Sequence, residues 1–343
     1  MSKMDEIIKN VNKRAKEEII TKGLSEFDYK RIPFTSPRMN YCTFGGLPIG
    51  KLTEFYGAEH SGKTTTALDI VANFQNTDDG RKVLYVDAEN TLDVEWAKKL
   101  GVYLDEMYIV QPKSQSAEEI FQIICDSVDT GEIGLWVLDS IGVLMSSQEL
   151  EKTMEDKTYG GVAKPLTLFG KKIEMLMQRH KCTGIGINQI REDLNNTWGG
   201  YTTPGGKAWK HVCAVRIQFS MGKYLDANGN EVSRSVENPS GNIVLMSMVK
   251  NKTCPPTRRT GFYTINYTYG IDYLRDLVDV AIKYDIVKKS GAWYDIVDIE
   301  TGEFLNDGKI QGIGNVYAML EDENNMELLS RIEALVDKCM KED

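Results

Sequence analysis

Apolar runs of strand length alternate with segments of helical period from Gly50 to about residue 190. The apolar runs are KLTEFYG, KVLYVDAE, MYIVQP, GLWVLDS and CTGIGINQI. The helical segments that separate them are KTTTALDIVANFQ, VEWAKKLG, SAEEIFQIICDSV and LFGKKIEMLMQRH. Short apolar strands that alternate with helices are typical of a parallel sheet covered by helices on both faces. The pattern therefore predicts an α/β fold with a mostly parallel central sheet.

The segments on either side of this alternation have other patterns. Residues 4–20 carry apolar side chains at helical spacing, which predicts an amphipathic helix that packs on its own core or on a neighbouring subunit. After residue 210, AVRIQFS, GNIVLMSMVKNK and GFYTINYTYG predict antiparallel additions to the sheet. We expect three parts: residues 1–33, an N-terminal helix and linker for subunit assembly; 34–275, the core; and 276–343, a small, acidic α+β C-terminal domain.

Composition indicates a globular protein in a chain of 343 residues, of which 41% are hydrophobic and 27% charged. No apolar run approaches the roughly 20 residues of a membrane helix, and the N-terminus lacks the apolar stretch of a signal peptide, so we expect a soluble, cytoplasmic protein without a membrane partner. The net charge of −9 opposes a polyanionic partner. However, Asp295 to Asp343 hold 13 acidic and 4 basic residues, so the preceding part is neutral and can carry basic patches.

The strongest motif follows the first apolar run directly. The stretch GAEHSGKT, from Gly57 to Thr64, fits G-x-x-x-x-G-K-[ST] between a predicted strand and a predicted helix, a context that a chance match in a glycine-rich loop would lack. Backbone N–H groups of such a loop wrap phosphates, the lysine reaches the β- and γ-phosphates, and the threonine ligates Mg²⁺. The residues predicted to bind nucleotide here are Gly57, Glu59, His60, Ser61, Gly62, Lys63, Thr64 and Thr65.

Two further apolar runs end on acidic residues. Asp139 ends LWVLD and is predicted to bind Mg²⁺ through water, so Thr64 and Asp139 form the predicted metal site. Taken alone, an aspartate there would be read as a strand-end cap. Glu89 follows VLYVDA and is the candidate base that orients the attacking water. Without the loop at Gly57, Asp87 and Glu89 would be read as solvated strand-end residues.

The order of these motifs resembles the bacterial RecA recombinases. The matching pieces are GAEHSGKTT, VDAENTLD, LWVLDS, INQIR, TPGGKAWK, MVKNKTCPP and GAWY, and the resemblance runs from about Pro33 to the C-terminus. It implies a RecA-like P-loop ATPase core and a DNA recombinase that uses ATP and Mg²⁺. Such a protein forms a helical filament of its own copies on single-stranded DNA, pairs it with double-stranded DNA for strand exchange and repair, and hydrolyses ATP in a DNA-dependent reaction. Single-strand-binding or mediator proteins are further candidate partners.

The resemblance also implies roles for individual residues. Gln189 matches the γ-phosphate sensor, and Asp93 and Trp96 match positions that flank the adenine, although the helical pattern alone places Trp96 in the core. Lys250 and Lys252 match a pair that enters the neighbouring subunit's ATP site, whereas in a monomer they would be solvated. The predicted catalytic residues are Lys63, Glu89, Gln189, Lys250 and Lys252.

Two segments are candidates for mobile DNA-binding loops, Glu149–Lys172 and Arg191–Lys210. Within them the predicted DNA-binding residues are Lys164, Lys171, Arg191, Trp198, Tyr201, Gly205, Gly206 and Lys207. Departures from the family pattern are four acidic residues in the first segment, Lys207 in place of an asparagine, and His60 in place of a serine. The position of His60 does not normally ligate phosphate, so we expect ATP binding to be retained.

Two other functions fit the same core. One is a hexameric helicase or branch-migration motor, which the GAWY-containing C-terminal region argues against. The other is a DNA-coating or mediator protein that binds nucleotide as a switch without hydrolysing it. Glu89, Gln189, Lys250 and Lys252 together argue against that second alternative.

Overall fold

The computed structural model describes residues 2–15, 20, 29–153, 161–192, 201–227, 229–233 and 235–342. The chain divides into two units, Met1–Lys30 and Arg31–Asp343. The first contains helix α1 (Lys3–Ala15), which agrees with the predicted amphipathic helix over its described part. Asp5 and Glu6 lie in its first turn and Lys13 and Arg14 in its last, the arrangement that complements the helix dipole.

Within the described residues, all the other helices lie in the second unit. They are α2 (Pro37–Thr43), α3 (Lys63–Gln75), α4 (Val94–Lys99), α5 (Ala117–Asp129), α6 (Ser147–Leu150), α7 (Ala163–His180), α8 (Gly206–Val212), α9 (Tyr273–Lys283), α10 (Ile313–Glu321) and α11 (Met326–Glu342). The described residues also form 3₁₀ turns at Leu104–Glu106, Ile141–Val143 and Glu323–Asn325. Within the described parts of the chain, no helix combines the length and the apolar character that crossing a bilayer requires.

Most strands of this unit join one large sheet. The strands are β1 (Arg31–Ile32), β2 (Leu47–Pro48), β3 (Leu52–Gly57), β4 (Lys82–Asp87), β5 (Met107–Val110), β6 (Ile133–Asp139), β7 (Thr183–Gln189), β8 (Arg191–Glu192), β9 (Tyr201–Thr202), β10 (Val215–Leu225), β11 (Glu231–Val232), β12 (Gly241–Asn251), β13 (Thr260–Asn266), β14 (Gly270–Ile271), β15 (Val287–Ser290), β16 (Trp293–Ile296) and β17 (Ile310–Gln311). The large sheet has the order β14-β13-β12-β10-β3-β7-β6-β4-β5, with β11 paired to β10.

The strands from β10 to β5 in this order are parallel to one another, and β11, β12, β13 and β14 are added antiparallel. The predicted fold class, a mostly parallel α/β sheet with antiparallel additions, is confirmed. Alternate residues of each central strand enter two different cores: Tyr85 packs with α3 on one face, and Leu84 packs with α5 and α7 on the other.

The described parts of both segments predicted to be mobile loops contain regular structure, which corrects the expectation for those parts, whereas 154–160 and 193–200 lie outside the described residues. Helix α7 begins at Ala163, so the last ten residues of the segment Glu149–Lys172 are helical; Leu166 and Phe169 are buried against the sheet and hold this first part of the helix in place. The segment Arg191–Lys210 contains the strand pair β8–β9 and the start of α8. In its described part, Trp209 is fully buried.

The C-terminal part packs a separate core of its own. Helices α9, α10 and α11 cover the three-stranded sheet β15-β16-β17, with side chains such as Val278, Ile296 and Leu335 buried between them. This part joins the large sheet through α9, which packs on α2 and β13. An ion pair between Arg38 and Asp279, with 3.4 Å between Nε and Oδ2, lies at that junction.

Gly184→Ala is expected to lower the free energy of unfolding by about 1–3 kcal/mol, because a β-carbon in this buried strand would lie 2.4 Å from the ring of Trp136. Urea-induced unfolding measures the change. The control is Gly314→Ala in α10, where a β-carbon meets no atom within 4 Å and alanine should stabilise the helix by about 0.5–1 kcal/mol. Equal stability of Gly184→Ala and the unmodified chain would contradict this account of the packing.

Candidate functional site

The carboxyl ends of β3, β7, β6 and β4 lie side by side in the sheet, and the predicted site residues follow them. The register pairs Gly57 of β3 with Gln189 of β7, and Asp87 of β4 with Asp139 of β6. Ligands of open α/β sheets bind at this edge, outside the carboxyl ends of the strands. The structure thus brings together residues that are up to 132 positions apart in the sequence.

The loop between β3 and α3 has the geometry of an anion cradle. A β-carbon at Gly57 would lie 2.1 Å from the carbonyl oxygen of Phe219, so only glycine fits the approach of β3 to β10. Gly62 caps α3 with a φ of 88° and without a side-chain hydrogen bond, so the N–H groups of the first turn remain for an anion. Glu59 and His60 are exposed on the loop, and His60 also has a positive φ, of 56°.

The predicted phosphate-binding lysine lies inside this cradle. Its Nζ donates to the carbonyl oxygen of Ala58 at 2.6 Å and to the hydroxyl of Ser61 at 3.4 Å. Burial lowers the pKa of Lys63, and the nearby carboxylates of Asp139, Glu89 and Glu59 act in the opposite direction. A phosphate group here would bring Lys63 a full counter-charge.

Thr64 and Asp139, the two predicted metal-binding residues, are in direct contact. The Thr64 hydroxyl donates to Oδ2 of Asp139 at 2.7 Å, and the hydroxyl of Tyr85 donates to the same oxygen at 3.0 Å. Burial is the main cause that raises the pKa of Asp139, and these two hydrogen bonds act against it. A hydroxyl and a carboxylate at the first turn of α3 are hard oxygen ligands, and they fit the preference of Mg²⁺.

Glu89 and Gln189 also meet, as the prediction requires. Oε1 of Glu89 accepts from Nε2 of Gln189 at 3.0 Å and from the hydroxyl of Ser140 at 2.5 Å. The neighbouring acid Asp87 has a local role, since its carboxylate accepts from the N–H groups of Thr91 and Leu92 at 3.1 Å each. Glu89 is therefore the acid of this strand end that faces the site.

Sequence reasoning missed Ser140 and Tyr85. Ser140 is the residue after the predicted metal ligand in LWVLDS, so its hydroxyl was visible in the motif. Tyr85 lies two positions before Asp87 and reads as an ordinary core residue. Its hydrogen bond to Asp139 depends on the pairing of β4 with β6, which the sequence pattern alone does not give.

Asp93 and Trp96 lie at the start of α4, close to the first turn of α3. Asp93 caps α4 by accepting from the backbone N–H of Trp96 at 2.9 Å. The indole Nε1 of Trp96 donates to the hydroxyl of Thr65 at 3.2 Å, and the ring packs partly against the core. The contact ties this ring to the first turn of α3, which follows the predicted nucleotide-binding loop, while its predicted contact with adenine stays a prediction.

Lys250 and Lys252 lie away from these residues in the same subunit. The Nζ of Lys250 donates to the carbonyl oxygens of Lys210 at 2.6 Å and His211 at 3.1 Å, and the Nζ of Lys252 donates to His211 at 3.0 Å. Both ammonium groups thus lie at the carboxyl end of α8, where the helix dipole favours cations. Burial and the charge of Lys252 lower the pKa of Lys250.

The predicted DNA-binding residues that the structure describes lie on three elements. Lys164 and Lys171 are exposed on α7 and, at a spacing of seven residues, share one helix face. On the strand pair, Nη2 of Arg191 donates to the carbonyl oxygen of Gly142 at 3.0 Å, and Tyr201 is 70% exposed. Gly205 caps α8, Gly206 and Lys207 begin it, and Trp198 lies outside the described residues.

Comparison with known proteins identifies the family. The family described as RecA N-terminal domain matches residues 2–272, and RecA C-terminal domain matches residues 275–341. The chain belongs to the RecA family. A Fusobacterium nucleatum protein named Protein RecA is 35% identical over 312 residues, which cover 90% of this chain and 76% of that protein. Protein RecA of Cereibacter sphaeroides is 38% identical over 266 residues, covering 77% and 74% of the two chains.

Membership of the RecA family confirms the prediction of a recombinase, with the family's general roles in strand exchange and DNA repair. It also implies that the chain binds and hydrolyses a nucleotide, binds DNA and forms filaments. The roles of individual residues stay predictions.

Proposed function

We propose that this RecA-family chain is a DNA-dependent ATPase that hydrolyses ATP to ADP and phosphate. It assembles as a helical filament on single-stranded DNA and exchanges strands with double-stranded DNA. One observation carries the proposal: the phosphate cradle around Lys63, the pair Thr64–Asp139 and the pair Glu89–Gln189 meet at one edge of the parallel sheet. Phosphoryl transfer needs these three elements together.

Each group at this edge has a distinct task. The first turn of α3 and Lys63 bind the phosphates, and Thr64 and Asp139 would hold Mg²⁺, the aspartate through water. Mg²⁺ supplies neutralisation of charge on the phosphate oxygens when bound. The carboxylate of Glu89 orients the attacking water and accepts its proton, while Ser140 and Gln189 fix the direction of that carboxylate.

The position of Lys250 supports action on a neighbouring subunit. In the sheet register, Lys250 of β12 pairs with Arg216 of β10, and Arg216 pairs with Glu54 of β3. Glu54 lies three residues before Gly57. This separates Lys250 from its own phosphate cradle by about 10 Å along the strands and by two strand spacings. A helical filament joins its subunits head to tail, so one face of a subunit lies against a different face of the next, and there Lys250 and Lys252 would stabilise charge on the transferring phosphoryl group.

DNA binding and chain organisation complete the proposal. The exposed lysines of α7 and the segment that contains Arg191, Tyr201 and Lys207 are the proposed DNA contacts, with cations for phosphates and a ring for base stacking. Residues 1–33 are proposed for subunit assembly, 34–275 as the catalytic core and 276–343 as the C-terminal domain. Single-strand-binding or mediator proteins stay predicted partners, and the cytoplasmic location stays a prediction.

Purified chain is expected to hydrolyse ATP at least about tenfold faster with single-stranded DNA than without it, and only when Mg²⁺ is present. Phosphate release measures the rate, and strand exchange between circular single-stranded and linear double-stranded DNA measures the complete reaction. Electron microscopy with a non-hydrolysable ATP analogue should reveal helical filaments. Rings that unwind a duplex without exchanging strands would instead support the helicase alternative, and a rate that DNA does not change would contradict the proposal.

A further inference from the structure

Glu54 is a carboxylate in the interior of the large sheet. It lies in the middle of β3, its side chain is fully buried, and it shares a sheet face with Leu52, which belongs to an apolar core. A buried charge is costly unless it is paired and hydrogen-bonded. The buried charge of Glu54 therefore requires partners that neutralise it and donate hydrogen bonds to it.

Three partners from three different elements contact this carboxylate. Oε1 accepts from Nδ2 of Asn188 in β7 at 3.0 Å and from Nε1 of Trp209 in α8 at 3.1 Å. Oε2 accepts from Nε of Arg216 in β10, whose guanidinium also lies 4.7 Å from the centroid of the Tyr56 ring. One side chain thus joins two parallel strands and a helix to the strand that leads into the phosphate cradle.

The Asn188 arm leads directly to the predicted γ-phosphate sensor. Asn188 precedes Gln189 in β7, and its Oδ1 accepts from the backbone N–H of Gln189 at 3.1 Å. Its Nδ2 donates not only to Glu54 but also to the carbonyl oxygen of Pro204 at 3.0 Å. Pro204 lies in the predicted DNA-binding segment. A displacement of Gln189 by nucleotide would therefore act on both contacts of the Asn188 amide, the one with Glu54 and the one with Pro204.

The Trp209 arm leads to the other predicted functional residues. Trp209 lies in α8, three residues after Gly206 and two residues after Lys207. The same helix ends at the backbone carbonyl groups that accept hydrogen bonds from Lys250 and Lys252. Its ring is fully buried, and it fits because Gly186 has no side chain: a β-carbon there would lie 2.7 Å from Cζ2 of the indole. The position of α8 therefore depends on Trp209.

We propose that Glu54 and Trp209 form a positioning pair that couples the nucleotide site to the DNA segment through α8. An apolar residue could fill the space of Trp209 without a buried carboxylate opposite it, and an apolar pair is often as stable as a buried polar one. The hydrogen bond gives α8 one fixed position relative to β3 and β7. The proposal rests on the proposed function, because it assigns these residues to the coupling between DNA binding and ATP hydrolysis.

The test is Trp209→Phe, which removes the Nε1 donor and keeps an aromatic ring. DNA-stimulated ATP turnover should fall about five- to tenfold, and the ratio of DNA affinities with a non-hydrolysable ATP analogue and with ADP should fall to a similar extent. Turnover without DNA and binding of a fluorescent ATP analogue should stay near those of the unmodified chain. The matched control is Trp136→Phe, because Trp136 is equally buried and its Nε1 donates to Sδ of Met177 in α7 rather than to Glu54.

The outcomes separate this inference from the function on which it rests. The positioning pair is supported if Trp209→Phe lowers both the DNA-stimulated ATP turnover and the ratio of DNA affinities, and if Trp136→Phe lowers neither. Equal loss in both variants assigns the effect to core packing and overturns it, as does full coupling in Trp209→Phe. In Glu54→Gln an amide N–H group faces Arg216, but the amide oxygen can still accept the hydrogen bond of Trp209. This variant should therefore retain more coupling between DNA binding and ATP hydrolysis than Trp209→Phe. Absence of DNA stimulation in the unmodified chain would instead refute the proposed function and this inference with it.

Discussion

Glu89→Gln is expected to lower ATP turnover on single-stranded DNA by about 10²–10⁴-fold, the usual contribution of a general base. The amide oxygen can still accept the hydrogen bonds that Ser140 and Gln189 now donate to Oε1, so the local geometry should be retained. What the variant loses is the negative charge and the ability to take a proton from water. Binding of a fluorescent ATP analogue should therefore remain close to that of the unmodified chain, and phosphate release in a single turnover measures the loss.

A matched control for this variant is Glu95→Gln. Glu95 lies on α4, is exposed and pairs with Lys98, with 2.8 Å between Oε1 and Nζ. An exposed pair of this kind contributes little, so turnover should be unchanged. If Glu89→Gln retained more than about a tenth of the DNA-stimulated rate, Glu89 would not be the base.

The central sheet could be predicted from the sequence because its strands are buried on both faces. Such strands read as continuous apolar runs, as VLYV and LWVL do, and the helices between them keep a 3.6-residue period. Helix α8 could not be predicted in the same way. It is seven residues long, and Trp209 is its one fully buried side chain, held by Glu54 and Gly186 from two distant strands. A helix that depends on such contacts leaves no periodic pattern.

The candidate site likewise contains residues whose meeting could be predicted from the sequence and residues whose contacts could not. Asp139 and Gln189 end buried strands, and Lys63 and Glu89 follow such strands. The carboxyl ends of parallel strands share one edge, so the meeting of these residues could be expected. Tyr85 and Glu54 lie inside strands, and what they contact depends on which strand is the neighbour. The sequence pattern does not give the order β3-β7-β6-β4, and both residues therefore read as ordinary strand positions.

Lys250→Ala is expected to lower DNA-stimulated turnover by about 10²–10³-fold, the effect of removing one group that stabilises developing charge. ATP binding should change little, because Lys250 lies two strands away from the phosphate cradle of its own subunit. The matched control is Lys223→Ala in the neighbouring strand β10, where the exposed lysine pairs only weakly with Glu231. The rate of phosphate release with single-stranded DNA distinguishes the two variants, and full activity of Lys250→Ala would refute its catalytic role.

A mixture of two inactive variants separates action on the neighbouring subunit from action within one subunit. Lys250→Ala retains Glu89, and Glu89→Gln retains Lys250, so random co-assembly gives an intact pair at about a quarter of the interfaces if Lys250 reaches across. Turnover of the mixture should then rise well above that of either variant. If Lys250 served only its own subunit, for instance by holding the carboxyl end of α8 through Lys210 and His211, every subunit of the mixture would still carry a defect. Recovery of activity would therefore require that the catalytic site is completed by the next copy of the chain.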